Sequence, residues 1–348
     1  MLDGQRIGIV LLSAIGDIVH ALPLAESLRS AAPGARIEWF AQPVPAELLE
    51  GHPAVDRVWL LDRARGWRAF RDIRTELRGE RFDLVIDAQV YTKASIVTAL
   101  IDSPRKLGFD RARARELNWV VTNERLQPRP DAHMCDQFLE FADYLGVERK
   151  YTWNLPISAD ERAAQARFFG SSPGPVAALV VGTTRRAKEW PATRWAGLAE
   201  GLSEMGYRVC IVGGTSDNES AVADEIRVAA DCRIDDVREN NLRRLVWLLD
   251  GASLVVSCDT GPYHLAVALD VPTIGLYGYT DPARVGPGSR YLDLVVDAFH
   301  DPGEPWHPVH RTYRSGRMER IEIADVMGAV RHARERYPRA GGPGAVPS

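Results

Sequence analysis

The stretch Arg6-Ile-Gly-Ile-Val-Leu-Leu-Ser-Ala-Ile-Gly-Asp17-Ile-Val-His-Ala-Leu-Pro23 carries two periodicities in succession. Arg6 to Leu12 is a short, almost wholly apolar run, as a strand buried on both faces requires. Ser13-Ala-Ile-Gly-Asp17 interrupts it, and Ile18, Leu22, Leu24 and Leu28 then follow a helical period. The reading is strand, tight loop, helix. The unit recurs: Ile37 to Phe40, Arg57 to Leu61 and Asp83 to Asp87 read as strands, with helical stretches at Trp67 to Leu77 and Lys93 to Leu100. Strands alternating with helices imply a parallel sheet covered on both faces.

At Ser171-Ser-Pro-Gly-Pro175 the composition turns to breakers, and the alternation restarts with Val176 to Val181. It continues through Arg208 to Val212, Leu254 to Ser257 and Thr273 to Leu276, with helices at Ala192 to Met205, Glu219 to Ala229 and Leu242 to Leu249. The expected class is α/β, with two facing Rossmann-like, doubly wound domains over 1–172 and 173–322. A last helix follows over 323–337, and the Gly/Pro-rich tail 338–348 is expected to be disordered. Open parallel sheets bind ligands beyond the carboxyl ends of their strands, which directs the search to those loops and to a cleft between the domains.

Composition narrows the function. A length of 348 residues suits two domains at roughly 150 residues each. With 43 Lys/Arg against 47 Asp/Glu the net charge is −4, so no global basic field exists to hold nucleic acid. No apolar run approaches the roughly 20 residues that span a bilayer, and Arg6 to Leu12 is too short for a signal peptide, so a cytoplasmic protein is expected. Cys135, Cys210, Cys232 and Cys258 form no C-x-x-C pair and read as buried thiols. D-x-D and H-E-x-x-H are missing from the sequence, and His307-Pro-Val-His310 offers two ligands, so no catalytic metal is signalled.

Four loops that follow strands hold residues able to do chemistry. Asp17 opens the first helix, where the helix N-terminus stabilises an anion; it suits a general base, the plain alternative being a cap. Gly182-Thr183-Thr184-Arg-Arg-Ala-Lys188 presents hydroxyls and a lysine point charge, a plausible phosphate cradle or else a solvated basic loop. Asp259-Thr260-Gly261-Pro-Tyr-His264 would place backbone amides at a helix N-terminus against an anion. Glu219, after Gly213-Gly-Thr-Ser, can accept ribose hydroxyls. Residues 57–129 hold 16 Lys/Arg against 10 Asp/Glu, densest at Arg105, Lys106, Arg111, Arg113 and Arg115. Such a stretch suits an anionic partner or is a solvated face.

Taken in order, Ala14-Ile-Gly-Asp17-Ile-Val-His-Ala-Leu-Pro23, Thr183-Thr184 with Lys188 and Trp190-Pro191, and Asp259-Thr-Gly-Pro-Tyr-His264 resemble the ADP-heptose:lipopolysaccharide heptosyltransferases of glycosyltransferase family 9, with the heptosyltransferase I type nearest. The resemblance implies a GT-B architecture: an acceptor domain, a nucleotide-sugar domain, and a C-terminal helix crossing back to pack on the first. It implies Asp17 as general base, Thr183, Thr184 and Lys188 on the diphosphate, Glu219 on the ribose, and Asp259, Thr260, Gly261 and His264 around diphosphate and donor sugar. Lys93, Arg115 and His133 match positions that bind the anionic Kdo sugars of the acceptor; the basic stretch adds Arg105 and Arg113.

The expectation is an inverting, metal-independent transfer of heptose from ADP-heptose to a Kdo hydroxyl of a lipid A precursor, with no cofactor, no metal and no nucleic acid. The enzyme is expected to be peripheral at the inner face of the cytoplasmic membrane. The alternatives are a family member adding heptose to a heptosylated core or a protein hydroxyl, and a non-catalytic nucleotide-sugar binding module, which would not need Asp17.

Overall fold

The computed structural model describes residues 2–116, 118–171 and 174–339. The chain forms two compact units, Met1–Pro130 with Met134–Pro156, and Asp131–His133 with Ile157–Ser348. In the first unit the elements run β1 (Arg6–Val10), α1 (Ile15–Ala31), β2 (Arg36–Ala41), α2 (Pro43–Ala46), β3 (Arg57–Leu60), α3 (Trp67–Glu76), β4 (Leu84–Asp87), α4 (Thr92–Leu100), β5 (Lys106–Gly108), β6 (Glu124–Arg125) and α5 (Met134–Tyr144). The strands pair in parallel in the order β3-β2-β1-β4-β5-β6.

The second unit begins with α6 (Ala159–Gly170) and continues β7 (Val176–Val180), α7 (Ala192–Glu204), β8 (Arg208–Val212), α8 (Asp217–Ala229), β9 (Ile234–Asp236) and α9 (Leu242–Gly251). It is completed by β10 (Leu254–Cys258), α10 (Gly261–Ala268), β11 (Thr273–Tyr277), α11 (Pro282–Val285), β12 (Val295–Asp297) and α12 (Ile323–Arg336). Its parallel order, β12-β11-β10-β7-β8-β9, repeats the first. Both sheets are the doubly wound 3-2-1-4-5-6 arrangement, whose order reverses at β1/β4 and at β7/β10.

The central strands β7, β10 and β11 are buried along their whole length, as helices on both faces demand. In the first unit Val10, Phe40, Trp59, Phe82 and Val85 form one core, with Phe40 and Trp59 stacked at 5.6 Å. Helix α1 buries ten of its seventeen residues, including Pro23. Pro23 has no N–H for the Val19 carbonyl, and the Trp153 Nε1–H donates to that oxygen instead at 2.8 Å.

Two boundaries differ from the sequence reading. The breakers at Ser171–Pro175 do not divide the domains: α6, expected at the end of the first, belongs to the second unit, where Glu161 pairs with Arg243 at 2.8 Å and Gln165 donates to the Trp247 carbonyl at 2.7 Å. The resemblance implies a last helix packed on the first domain; the stripe Val326, Val330 and Ala333 is instead used in the second unit's core beside Trp195, Leu198 and Leu202. Gly197 and Gly201 on α7 leave the room that Ile323 and Met327 occupy. Of the expected disordered tail, Arg339 donates to the carbonyls of Asp250 and Ala252 at 3.0 Å, and 340–348 lie outside the described residues.

Candidate active site

At the β1/β4 switch point of the first unit, Asp17 and Lys93 line one cavity of about 750 Å³, together with Arg63, Trp67, Gln89 and Glu116. The loop after β1 is fixed from β4's side. The Gln89 Oε1 accepts the Leu12 N–H at 3.0 Å, and its Nε2 donates to the Ser13 carbonyl at 2.6 Å. Asp17 is the third residue of α1, and its Oδ2 accepts the Ala14 N–H at 3.0 Å, so the carboxylate is half-buried at the helix N-terminus. Lys93 is exposed in the first turn of α4. Glu116, in the left-handed region at φ 51°, caps that turn by accepting the Thr92 N–H at 3.0 Å and hydroxyl at 2.8 Å. Those two bonds hold the Glu116 carboxyl below its ordinary range.

Asp87, at the end of β4 and two residues before the cavity-lining Gln89, is fully buried. Burial pushes its carboxyl up to about 7, although Thr98 and Asn118 each donate to Oδ2 at 2.8 Å. Asn118 also donates to the Gln89 carbonyl and the Ser95 hydroxyl at 3.0 Å, tying the β4–α4 loop to its helix.

The other acceptor candidates separate. Arg115 is exposed and its N–H meets the Val90 carbonyl at 3.2 Å, beside the cavity-lining loop. Arg105 precedes β5, at the amino end of a parallel sheet whose site lies at the carboxyl end, and it grips Glu124 with two bonds of 2.7 and 2.8 Å. Arg113 is buried between Asp110 and Glu140, which it meets at 2.8 and 2.9 Å, and so serves the fold. Burial alone would raise the Asp110 carboxyl, and Arg113's bond and charge bring it below its ordinary range. His133 groups with the second unit, its Nε2 2.9 Å from the Gly286 carbonyl. The first-unit cavity that Asp17 and Lys93 line is thus not lined by Arg105, Arg113 or His133. The charge count included Arg63 in the same basic stretch without singling it out, and the exposed Trp67 beside it carried no charge to mark it.

In the second unit the switch point joins Lys188, Asp259 and His264. The Lys188 ammonium donates to the Asp259 carbonyl at 3.0 Å and to its Oδ2 at 2.6 Å, and the His264 Nε2 lies 3.2 Å from Oδ1. Thr280, which the sequence did not single out, donates its hydroxyl to the same Oδ2 at 2.8 Å. Burial would push the Asp259 carboxyl up, but the bond from His264 and the charge of Lys188 prevail and hold it well below the ordinary range. The ammonium has three protons and two are used here, leaving one to offer an anion.

Thr260 is the N-cap of α10; its hydroxyl accepts the Tyr263 N–H at 3.4 Å and lies 3.1 Å from the Ser257 hydroxyl. Gly261 and Pro262 open the helix, so its positive end faces the loop of Asp259. The Thr183 hydroxyl donates to the Arg185 carbonyl at 2.8 Å, while Thr184 is exposed. Glu219 caps α8, accepting the Ser216 hydroxyl at 2.6 Å, and its carboxylate fills the space a Cβ would take at Gly182 and Gly214. Those glycines let the loops after β7 and β8 close on one carboxylate.

All four cysteines are free thiols, three of them buried. His310 does not pair with His307 as a ligand set; among the described residues it stands with Asp281 and His300, one ligand-type atom from each lying within 4.8 Å of the others.

Residues 70–300 match the model of glycosyltransferase family 9 (heptosyltransferase). The lipopolysaccharide core heptosyltransferase OpsX of Haemophilus influenzae is 28% identical over 84% of each chain. Lipopolysaccharide heptosyltransferase 1 of Salmonella typhimurium is 31% identical over 81% of this chain and 91% of its own. Among solved structures, E. coli heptosyltransferase WaaC with ADP superposes with a TM-score of 0.69 at 29% identity, covering 81% of this chain and 90% of that one.

Proposed function

The chain belongs to glycosyltransferase family 9, the heptosyltransferases, and from that premise we propose that it moves heptose from ADP-heptose to a Kdo hydroxyl of the lipopolysaccharide inner core. The observation that carries this reading is that Asp17 and Lys93, a carboxylate and a cation, line one cavity at the switch point of the first sheet. A sugar acid can be held by Lys93, Arg115 and Arg63, while the face of Trp67 covers a ring's apolar side. Asp17 then takes the proton of the attacking hydroxyl. The new bond forms at the anomeric carbon on the side opposite the bond to ADP, which breaks, so the configuration inverts.

The departing ADP carries away the electron pair of the broken bond. Lys188 and the N-terminus of α10 at Thr260 and Gly261 supply positive potential to the diphosphate, the service a metal ion gives elsewhere, and the transfer is read as metal-independent for that reason. In this reading His264 and Lys188 keep Asp259 ionised and fixed, Thr183 and Thr184 contact phosphate oxygens, and Glu219 accepts ribose hydroxyls. Among the described residues no helix is long and apolar enough to cross a membrane. Because the acceptor is lipid-linked, the enzyme would dock peripherally at the inner face of the cytoplasmic membrane.

The test is ADP release with ADP-heptose and a Kdo-bearing lipid A precursor, run beside an already heptosylated acceptor. Release with the first is expected. Release only with the second would move the acceptor assignment, and ADP binding with no release on either would make the chain a binding module.

A further inference from the structure

The loops after β11 and β12 gather three side chains that the transfer does not use. Asp281 is 2% exposed and caps α11; its Oδ1 accepts the Ala283 N–H at 2.8 Å and its Oδ2 the His310 N–H at 2.6 Å. His300 is 8% exposed. Its Nδ1 lies 2.8 Å from the Asp297 Oδ2, and its Nε2 is buried with no hydrogen-bond partner. That Nε2 stands 3.7 Å from the Asp281 Oδ1, too far for a hydrogen bond. The ring is held in place: Trp306 stacks on it at 5.7 Å and Phe299 meets it edge-on at 5.0 Å.

Asp297 fixes the tautomer. With the Nδ1–H donating to that carboxylate, Nε2 presents a lone pair into a buried space where no donor reaches it, which is an unfavourable state. A carboxylate behind a histidine whose other nitrogen faces an acidic group and a second histidine is the arrangement by which proteins orient metal ligands. Two imidazoles and one carboxylate suit a borderline divalent transition metal and not Mg²⁺ or Ca²⁺, which take oxygen shells. We propose that Asp281, His300 and His310 form a binding site for a zinc-like divalent transition-metal ion, with one coordination position left to water.

Zinc bonds of about 2.0–2.2 Å put tetrahedral ligand atoms roughly 3.3–3.5 Å apart, so the three atoms must draw closer than the 4.8 Å that now bounds them. His300 and Asp281 are already near that spacing, and the half-buried His310 is the ligand with room to move. The ion would be structural. It would pin the segment after β11, one residue from Thr280, whose hydroxyl holds the Asp259 carboxylate, and so would steady the donor loop without touching the reacting atoms.

The experiment uses metal-stripped, full-length protein titrated with Co²⁺, read by its visible d–d absorption, and with Zn²⁺, read by calorimetry. One equivalent of Co²⁺ is expected to bind with the absorption of nitrogen and oxygen ligation, and to be displaced by Zn²⁺. His300→Gln and His310→Ala should each abolish the spectrum, and Asp297→Asn should weaken binding about 10–100-fold by freeing the ring. His310→Ala alters a half-buried side chain, and its thermal melt shows whether the fold survives, so loss of binding there is not loss of structure. No stoichiometric uptake by the wild type up to millimolar metal would overturn the site, as would uptake unchanged in both histidine variants. Turnover is not the readout, so failure here and failure of the glycosyl-transfer reading remain distinguishable.

Discussion

Replacing Asp17 by asparagine separates two jobs that the carboxylate performs in one place. Its Oδ2 accepts the Ala14 N–H at 3.0 Å and closes the first turn of α1. An asparagine carbonyl can accept the same bond, so capping, worth about 0.5–2 kcal/mol, is retained. What asparagine lacks is an oxygen able to take the proton of an acceptor hydroxyl. A positioned base contributes roughly 10²–10⁴-fold. At about 1.4 kcal/mol per factor of ten, that is about 2.7–5.5 kcal/mol of transition-state stabilisation. Asp17→Asn should therefore lower kcat by about 10²-fold or more, with the melting temperature near wild type and ADP affinity within a few fold. Asp17→Ala should lose the same rate and some stability as well. Steady-state ADP release, calorimetry with ADP and a thermal melt read the three quantities. If Asp17→Asn turns over near the wild-type rate, Asp17 is a helix cap and the proposed mechanism is wrong, although family membership stands.

Lys188→Ala strips the cation from a buried carboxylate, so it should weaken ADP by about 1.5–3 kcal/mol and also lower folding stability by about 3–5 kcal/mol; calorimetry that finds ADP affinity unchanged removes Lys188 from the donor site. Arg113→Ala should cost about 3–5 kcal/mol in a denaturant melt by orphaning Asp110 and Glu140, whereas Arg105→Ala, at a partly exposed pair, should cost about 0–1 kcal/mol. Lys93→Ala should leave stability alone and raise the acceptor KM without changing ADP affinity; unchanged acceptor kinetics would return it to the solvated surface. Asp87, raised to about 7 in the fold, binds a proton there that the unfolded chain has released above its ordinary value near 4. Its contribution to stability is thus full below about 4 and is lost as pH rises toward 7; Asp87→Asn should flatten that slope in melts across the window, and an unaltered slope would refute the assignment.

The central strands and their following loops were legible because burial on both faces forces continuous apolar runs, and each such run in the sequence corresponds to an observed strand within a residue or two. The shortest strands were not. Lys106–Gly108, Glu124–Arg125, Ile234–Asp236 and Val295–Asp297 are two or three residues long, too short for an apolar run to be read. Among the candidate residues, Asp17, Lys188 and Asp259 stood out because each follows a strand. Arg113 misled because charge composition does not disclose partners: Glu140, which neutralises it, lies 27 residues away on α5. Gln89 and Thr280 were missed for the opposite reason, since a neutral side chain whose work is to hold a loop or a carboxylate carries no charge or motif to mark it.

The two units place a buried aspartate at almost the same point of the same topology and shift its carboxyl in opposite directions. Asp87 ends the fourth strand of the first sheet and Asp259 follows the fourth strand of the second. Asp87 meets a hydroxyl and an amide, neutral donors that do not repay the loss of water, so burial prevails and the carboxyl rises to about 7. Asp259 meets Lys188 and His264, and the anion is favoured despite burial. The difference matches what each loop is proposed to do. A diphosphate needs fixed positive potential, and Asp259 holds Lys188 and His264 in place while leaving Lys188 a proton to donate. A proton acceptor needs an ionised carboxylate that an acceptor hydroxyl can reach. With Asp87 buried and bonded to Thr98 and Asn118, that role in the first-unit cavity is proposed for Asp17 and not for Glu116, the other acid lining it, whose carboxylate accepts both the N–H and the hydroxyl of Thr92.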